Sequence, residues 1–575
     1  MLKDLNIFFF KKDKKNFYLD KEVVSKLMHL IPMSIFSSVL EILSISMLIP
    51  ILAYFVEIDS FSSLSFAKIY GFIDAIFLSL SLEKSLLIIL ALFILKNIVL
   101  LIIAYYRHNV NMLITKNISE KLYTRYINLN FSSIFFLQTP TIIKNLTSEA
   151  MLYGRYLFSL IILITEAILL ISILFFLFYV NFKITLSIVI LLTISLLAFY
   201  LFSKKFVSNW SKQREYFENL RLKNLQEVFS GFMTVKIFQL EKTFIRDFVN
   251  KNSFYDYIKK ERFVGETPRI FLEIFLLLTI LIIILSMQFT STDKKELFIL
   301  ISVFSIFFIR MIPSMNKILI AISSMKYCQN SVEVIINEIK KAESSKKNYE
   351  NTNEKINEKF IYKEKMAFNN ISFYFNVEKK FINNISFEIK KNQILGISGP
   401  SGSGKSTLIN IIVGLLKPKS GEIFLDNNLV NINTIGWRNL FSYVPQNIFI
   451  FEDTLKNNIL LNNTDSGIND GEIFNLLKIL KLDKIAKSEN DLNLYLQENG
   501  KNLSGGEKQR IGFARALISK KPILILDEAT NALDKKSQKE ILDIVVSFKD
   551  KKTIIIISHD NEVMKICDNV LDLTN

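Results

Sequence analysis

Six long apolar stretches, separated by polar and mostly basic segments, dominate the N-terminal part of the chain. They run over Leu27–Val56, Leu86–Tyr106, Leu157–Val180, Ile184–Phe202, Ile270–Phe289 and Leu297–Ile322, each near the length of about 20 residues that a helix needs to cross the hydrocarbon core of a bilayer. Runs such as Ile274–Leu285 show no polar face, which excludes a helix half-buried in a soluble core. The gaps alternate in length. Stretches one and two are joined by Glu57–Ser85, three and four by Asn181-Phe182-Lys183, and five and six by Thr290–Glu296, whereas Arg107–Tyr156 and Ser203–Arg269 are long and basic. Lys and Arg beside apolar spans mark cytoplasmic loops, so the two long segments and both termini are expected in the cytoplasm.

The pattern changes after the sixth stretch. Lys340–Lys359 is rich in Lys, Asn, Glu and Ser with almost no apolar residues and reads as a linker. Beyond Phe360 the apolar runs are short and strand-like, first Phe368–Phe375 and Phe381–Ile389, later Ile394–Ile397 and Ile523–Leu526. At the other end, Leu5, Ile7, Phe8, Phe9 and Phe10 precede Lys11-Lys12-Asp13-Lys14-Lys15; this is too short for a signal peptide and reads as a helix lying on the cytoplasmic leaflet. The expected organisation is an interfacial helix over 1–22, a six-helix membrane domain over 23–339, a linker over 340–359 and an α/β domain over 360–575.

Composition sharpens this picture. The 575 residues are 50% hydrophobic, with mean hydropathy +0.31, yet 22% are charged, so apolar and charged residues must be segregated. The net charge of +16 sits beside the apolar stretches and accompanies no nucleic-acid-binding motif, which argues against nucleic acid as a partner. Cys328 and Cys567 both fall in segments assigned to the cytoplasm, where disulfides are rare, and imply no redox or metal role.

The chemistry centres on Ile394–Asn410. An apolar strand leads into Gly399-Pro400-Ser401-Gly402-Ser403-Gly404-Lys405-Ser406, and Thr407 and Leu408 continue into an apolar helix. The octet fits G-x-x-x-x-G-K-[ST]: its glycines let backbone N–H groups point inward, the helix amino end adds positive potential, Lys405 reaches the outer phosphates and Ser406 is placed to hold Mg²⁺. Downstream come Gln446 after Tyr443-Val444-Pro445, Leu503-Ser504-Gly505-Gly506-Glu507, Asp527-Glu528 at the end of an apolar strand, Asn531-Ala532-Leu533-Asp534, and His559 after Ile554–Ser558.

This set, in this order, resembles the nucleotide-binding domain of ABC transporters, and short outer loops with long inner ones resemble their six-helix exporter fold. The resemblance implies ATP and Mg²⁺ as ligands. It casts the octet as the Walker A loop, Leu503–Glu507 as the signature, Asp527 as the Walker B aspartate and Glu528 as the carboxylate that polarises water. Gln446 becomes the Q-loop glutamine, Asp534 the D-loop aspartate and His559 the switch histidine at the γ-phosphate, with Ser406, Asp527 and Gln446 holding Mg²⁺ directly or through water. Two positions depart from the family pattern: Asn531 stands where a serine is usual, and Phe375 where the adenine-stacking aromatic is more often tyrosine. Core packing is nearly as good an account of Phe375. Coupling helices are implied near Phe131–Leu137 and Gln226–Met233. In the family Ser504 and Gly506 face a nucleotide held by the opposite subunit, and the chain has one octet and one signature, so a homodimer with two ATP sites is expected.

Glu41, Lys96, Glu166, Glu273 and Arg310 lie within apolar stretches, where an ionisable group faces a cavity or another charge; for Glu166 and Lys96 pairing between helices and substrate contact are equally good readings. Arg310–Lys317 together with Thr267–Glu273 resembles bacterial flippases of lipid-linked oligosaccharides, as does an amphipathic stripe of Phe72, Ile73, Ile76, Phe77 and Leu80 in the first outer loop. That resemblance makes Arg310, Lys317 and Arg269 candidate contacts to a polyprenyl-diphosphate glycan. An exporter of drugs, lipids or peptides, and a membrane-anchored ATPase that gates or signals without pumping, remain as alternatives.

Overall fold

The computed structural model describes residues 20–48, 82–134, 137–288, 294–353, 360–376, 379–461, 467–530 and 533–573. The chain divides into two compact units, Met1–Leu129 with Phe136–Ser344, and Asn130–Phe135 with Ser345–Asn575.

Six long helices build the first unit among the described residues: α1 (Lys21–Ser46), α2 (Leu82–Ile127), α3 (Ala150–Val180), α4 (Phe182–Ser230), α5 (Phe254–Gln288) and α6 (Lys294–Asn353). In hydrocarbon every backbone polar group must bond within its own segment, which a helix alone achieves for an isolated apolar run. By length and composition, five helical segments among the described residues can cross a membrane: Lys21–Ser46, Leu86–Ile127, Thr139–Val180, Phe182–Phe199 and Leu300–Lys341. The remaining apolar stretch, Ile270–Phe289, falls largely on α5, whose side chains from 282 onward lie outside the described residues. With 46, 49 and 60 residues, α2, α4 and α6 reach roughly 70 to 90 Å, two to three times the hydrocarbon thickness of about 30 Å. Asn181 makes the tight turn between α3 and α4, its side chain accepting from the Ile184 N–H.

Several details differ from the sequence reading. A short helix forms at Phe232–Ile237 rather than Gln226–Met233, because α4 continues through Glu227 and Ser230 until Gly231 ends it. The helix expected near Phe131–Leu137 spans Phe131–Ile134; it belongs to the second compact unit, and Phe131 packs on the core of that unit. The front of the expected linker is helical, since α6 persists to Asn353 through a sequence without Gly or Pro. The interfacial helix proposed at the N-terminus and nearly all of Glu57–Ser85 lie outside the described residues.

The long segments between the second and third and between the fourth and fifth apolar stretches carry a buried charge network. Arg214 donates to Glu149 at 3.1 Å and Glu218 at 2.6 Å, and Lys144 to Glu215 at 2.9 Å. Burial pushes the Glu218 carboxyl above its usual range, while the flanking carboxylates hold the Arg214 guanidinium above its own. Charges this deep persist only as partners.

The second unit holds two sheets. An antiparallel sheet has the order β2-β1-β4-β5, with β1 Lys365–Asn376, β2 Lys379–Lys390, β4 Ser420–Leu425 and β5 Asn428–Leu429. A parallel sheet has the order β6-β7-β8-β3-β9, with β3 Ile394–Ser398, β6 Phe441–Val444, β7 Ile523–Asp527, β8 Thr553–Ile557 and β9 Asn569–Asp572. The unbroken apolar runs of β3, β7 and β8 are buried on both faces, as parallel strands covered by helices must be. Helix α7 (Lys405–Ile412) follows β3 and buries Leu408, Ile409, Ile411 and Ile412 with Ile397, Trp437 and Ile525 in one core.

Gly414 ends α7 at φ +79°, and a Cβ there would lie 2.1 Å from the Ile432 carbonyl oxygen. Gly414→Ala therefore combines left-handed strain with a backbone clash and should cost on the order of 3 kcal/mol. The expected result is a fall of roughly 5–10 °C in the melting temperature of the ATP-binding domain within the full chain; melting at the wild-type temperature would show that the turn relaxes freely.

Candidate functional site

Because β6, β7, β8 and β3 are parallel neighbours, their carboxyl ends share one edge of the sheet, the edge where open α/β sheets bind ligands. That edge receives four of the motifs: Gln446 just after β6, Asp527 and Glu528 at the end of β7, His559 just after β8 and the glycine-rich octet after β3.

The octet is shaped by positive φ. Gly399, Gly402 and Gly404 sit at +149°, +86° and +94°, and a Cβ on Gly399 would come within 2.8 Å of the Ser403 hydroxyl. Gly404 is the N-cap of α7 and has no side chain to cap it, so the first-turn N–H groups of Lys405, Ser406 and Thr407 are offered to an anion. Ser403 Oγ is buried without a hydrogen-bond partner among the described residues. The Lys405 ammonium donates to the carbonyls of Gly399 at 2.6 Å and Pro400 at 3.0 Å, which holds it over the loop. Amides, a hydroxyl and an ammonium converging on a loop open at Pro400 and Ser401 fit a chain of phosphates.

Two adjacent carboxylates face this loop differently. Asp527 is half-buried and accepts from the Tyr443 hydroxyl at 2.7 Å. Burial, together with the Glu528 charge, pushes its carboxyl above the usual range against the opposing pull of Tyr443 and Lys405; burial and Asp527 in turn push the Tyr443 hydroxyl up. Glu528 has left-handed backbone, φ +47°, a costly conformation for a side chain with a Cβ. Its N–H donates to the Ile557 carbonyl at 3.1 Å, tying β7 to the end of β8. Its carboxylate accepts from Gln446 Nε2 at 2.8 Å and lies 3.9 Å from His559 Nδ1. The Ser406 hydroxyl, the Asp527 carboxylate and the Gln446 amide oxygen are hard oxygen donors of the kind Mg²⁺ takes alongside phosphate.

The other motifs form a second group. Ser504, Gly506 and Asp534 line a cavity of about 530 Å³ with Lys481, Lys484 and Arg510, a cavity lined by none of Lys405, Gln446, Asp527, Glu528 or His559. Ser504 is the N-cap of α8 (Gly505–Ile518) and forms a capping box with Glu507. A Cβ on Gly505 would meet nothing within 4 Å, and one on Gly506 only the Leu533 side chain at 3.3 Å, so bare backbone faces a cavity whose lining carries Lys481, Lys484 and Arg510 together with Asp483, Glu507 and Asp534. Asp534 caps α9 (Lys535–Ser547) through the Ser537 N–H. Phe375 lies on β1, with its side chain outside the described residues, as is the whole of Asn531.

Within the apolar helices, Arg310 and Lys317 of α6 line one cavity of about 420 Å³. Each is paired with a carboxylate. Arg310 donates from Nε and Nη2 to the two oxygens of Glu41, which also accepts from Lys96 at 3.2 Å. Lys317 donates to Glu166 at 2.9 Å, and Arg107 lies 3.7 Å from the same oxygen. The pairing alternative thus holds for Glu41, Lys96 and Glu166. Sequence reasoning missed Arg107, which directly follows the apolar stretch ending at Tyr106 and was counted with the loop. Of Arg269 only the backbone is described, and Glu273 is exposed.

Comparison with known proteins agrees with this geometry. The ABC transporter transmembrane region family matches residues 27–311 and the ABC transporter ATP-binding family residues 382–531. An export ATP-binding/permease protein of Rickettsia bellii is 30% identical over 85% of each chain. An ATP-dependent lipid A-core flippase of Pasteurella multocida is 34% identical over 36% of each chain. A solved bacterial Atm1-family ABC exporter with ATP bound superposes with TM-score 0.75 over 96% of this chain and 94% of that one, at 19% identity, a likeness of fold. The chain belongs to the ABC transporters, as an export half-transporter with a membrane helical domain followed by a nucleotide-binding domain. It is a multi-pass membrane protein whose ATPase activity is coupled to transport.

The Tyr443 hydrogen bond favours ionised Asp527, so Tyr443→Phe removes that support and raises the carboxyl further. The acid limb of the ATPase pH profile should move to higher pH, with alkaline turnover retained. Superimposable profiles would show that the hydroxyl does not tune Asp527.

Proposed function

We propose that this chain works as a homodimeric, Mg²⁺-dependent exporter of the bacterial inner membrane that flips a lipid-linked oligosaccharide, a polyprenyl-diphosphate glycan, with its ATPase domain and both termini in the cytoplasm. The observation that supports the cargo reading is a cavity in the helical domain lined by three cationic side chains, Arg107, Arg310 and Lys317, against one carboxylate, Glu166. A cavity for apolar drugs would be aromatic and nearly uncharged, whereas a diphosphate calls for cationic donors, and Arg suits bidentate contact with phosphate.

The ATPase roles follow from the two groups. Gly399, Pro400, Ser401, Gly402, Ser403 and Gly404 cradle the phosphates with the amides of Lys405, Ser406 and Thr407, and Lys405 neutralises the outer ones. Phe375 stacks on the adenine. Ser406, Asp527 and Gln446 would hold Mg²⁺, which would supply charge neutralisation for the outer phosphates. Glu528, oriented by Gln446, accepts the proton of the attacking water, and His559 contacts the γ-phosphate. The second group, Ser504, Gly505, Gly506 and Asp534, closes on the nucleotide of a partner subunit, so a complete site joins two copies related by a two-fold axis.

Lys405→Ala and Ser504→Ala chains should each be inactive alone. Mixed, they form heterodimers that retain one site free of both changes, so ATPase activity should return to at most about a quarter of wild type. No recovery in heterodimers shown to form would mean that the two sites cannot fire singly, and full activity in a monomer would remove the composite site.

For the cargo, proteoliposomes holding wild-type protein and ATP should move a polyprenyl-diphosphate glycan across the bilayer, and Glu528→Gln should abolish the movement while ATP binding persists. A wild type that moves apolar dyes and no diphosphate-linked lipid would replace the flippase with an exporter of drugs, lipids or peptides.

A further inference from the structure

The charges within the apolar helices form two clusters that differ in how completely they are satisfied. Glu41 is fully buried, and both of its oxygens are taken, one by Arg310 Nη2 and the other by Arg310 Nε and Lys96. Three helices, α1, α2 and α6, are tied at this point, and the fork of Arg310 is spent on it. Glu166 is held more loosely. One oxygen serves both Lys317 and Arg107, while the other, Oε2, is buried with no hydrogen-bond partner among the described residues. Lys317 leaves 48% of its side chain exposed, and Arg107 donates to the Thr165 hydroxyl at 3.2 Å.

The formal charges do not balance. Among the described residues of the two clusters, Lys96, Arg107, Arg310 and Lys317 face Glu41 and Glu166, an excess of two positive charges beside a single cavity. Unbalanced charge among apolar helices is unfavourable, so such a cavity prefers an occupant carrying two negative charges. The free oxygen of Glu166 adds a second requirement, a hydroxyl or amide donor.

We propose that Lys317 and Arg107 form an exchangeable clamp for a dianionic lipid head group, with Glu166 as the resident counter-ion that they release when the head group enters, while Arg310 stays on Glu41 as a positioning residue. The clamp deepens the flippase reading given above and rests on it for the lipid nature of the cargo, but it moves the phosphate contact from Arg310 to Lys317 and Arg107. A diphosphate diester carries two negative charges and a phosphate diester one, so the clamp discriminates between them by charge. The freed Glu166 carboxylate then accepts from a hydroxyl of the attached sugar.

The test is equilibrium binding to full-length protein in nanodiscs, with polyprenyl-diphosphate-linked N-acetylglucosamine as the dianion and the polyprenyl-phosphate-linked sugar as the monoanion. Wild type should prefer the dianion at least tenfold. Lys317→Ala and Arg107→Ala should each weaken dianion binding about tenfold and together erase the preference. Glu166→Gln should act in the opposite direction, tightening dianion binding several-fold, a sign that loss of a merely structural contact would not produce. Lys317→Gln and Arg107→Gln, which keep most of the side-chain bulk, replace the alanine variants if those melt well below wild type. Equal affinity for the two lipids, or dianion binding unchanged in Lys317→Gln and Arg107→Gln, overturns the clamp. If wild type ignores the diphosphate lipid but binds lipid A, which carries phosphate monoesters, with the same dependence on Lys317 and Arg107, the clamp stands and the polyprenyl reading falls.

Discussion

A helix amino end that no side chain caps is the constraint on which the ATP-binding domain depends. Because Gly404 cannot cap α7, its first-turn N–H groups need an anion or water, and the surrounding chain is arranged to make the anion the better partner. Positive φ at Gly399, Gly402 and Gly404 turns the loop around that point, and the apolar residues of α7 lock the helix into the core. The strand order β6-β7-β8-β3 then fixes which chemistry stands beside the phosphates: an amide after β6, two carboxylates at the end of β7 and an imidazole after β8, on neighbouring strands roughly 5 Å apart. The strained backbone of Glu528 is part of this arrangement, since its left-handed turn directs the carboxylate at Gln446 and His559.

The same requirement, that a buried polar group find a partner, governs the membrane domain with a different outcome. There the solvent is hydrocarbon, and charges that would be unremarkable in water must meet one another. Glu41 meets that need in full, and Glu166 only in part. In both domains the functional opportunity lies where satisfaction is incomplete among the described residues: the open amino end of α7, the orphaned Ser403 hydroxyl and the unpartnered oxygen of Glu166. The network around Arg214 and Glu149 is largely paired and reads as structural.

Much of this was legible in the sequence, because the signals are local. A strand, a glycine-rich octet and an apolar helix in succession specify the phosphate loop without tertiary information, and apolar runs of bilayer length specify the long helices. Three kinds of fact were not legible. The extent of α4 and α6 depends on where helix-compatible polar sequence stops, which hydropathy does not register, so the short helix after Gly231 and the helical start of the linker were displaced from expectation. The separation of Ser504, Gly506 and Asp534 from Lys405 needs the folded sheet; the sequence offered it only through resemblance. The partners of Arg310 and Lys317 lie 269 and 151 residues away on other helices, and no periodicity within α6 could say that Glu41 occupies the arginine while Glu166 pairs with the lysine through one oxygen.

The central claim is that one chain carries both halves of an ATP site on surfaces that meet only across a dimer. Disulfide trapping tests it most directly. In a background lacking Cys328 and Cys567, a chain carrying Ser401→Cys is combined with one carrying Ser504→Cys, and both exposed positions are oxidised with and without Mg²⁺-ATP. The account predicts a cross-linked species of twice the chain mass that forms strongly with nucleotide and weakly without it. A cross-link within one chain carrying both cysteines, or none between chains at saturating ATP, would contradict it.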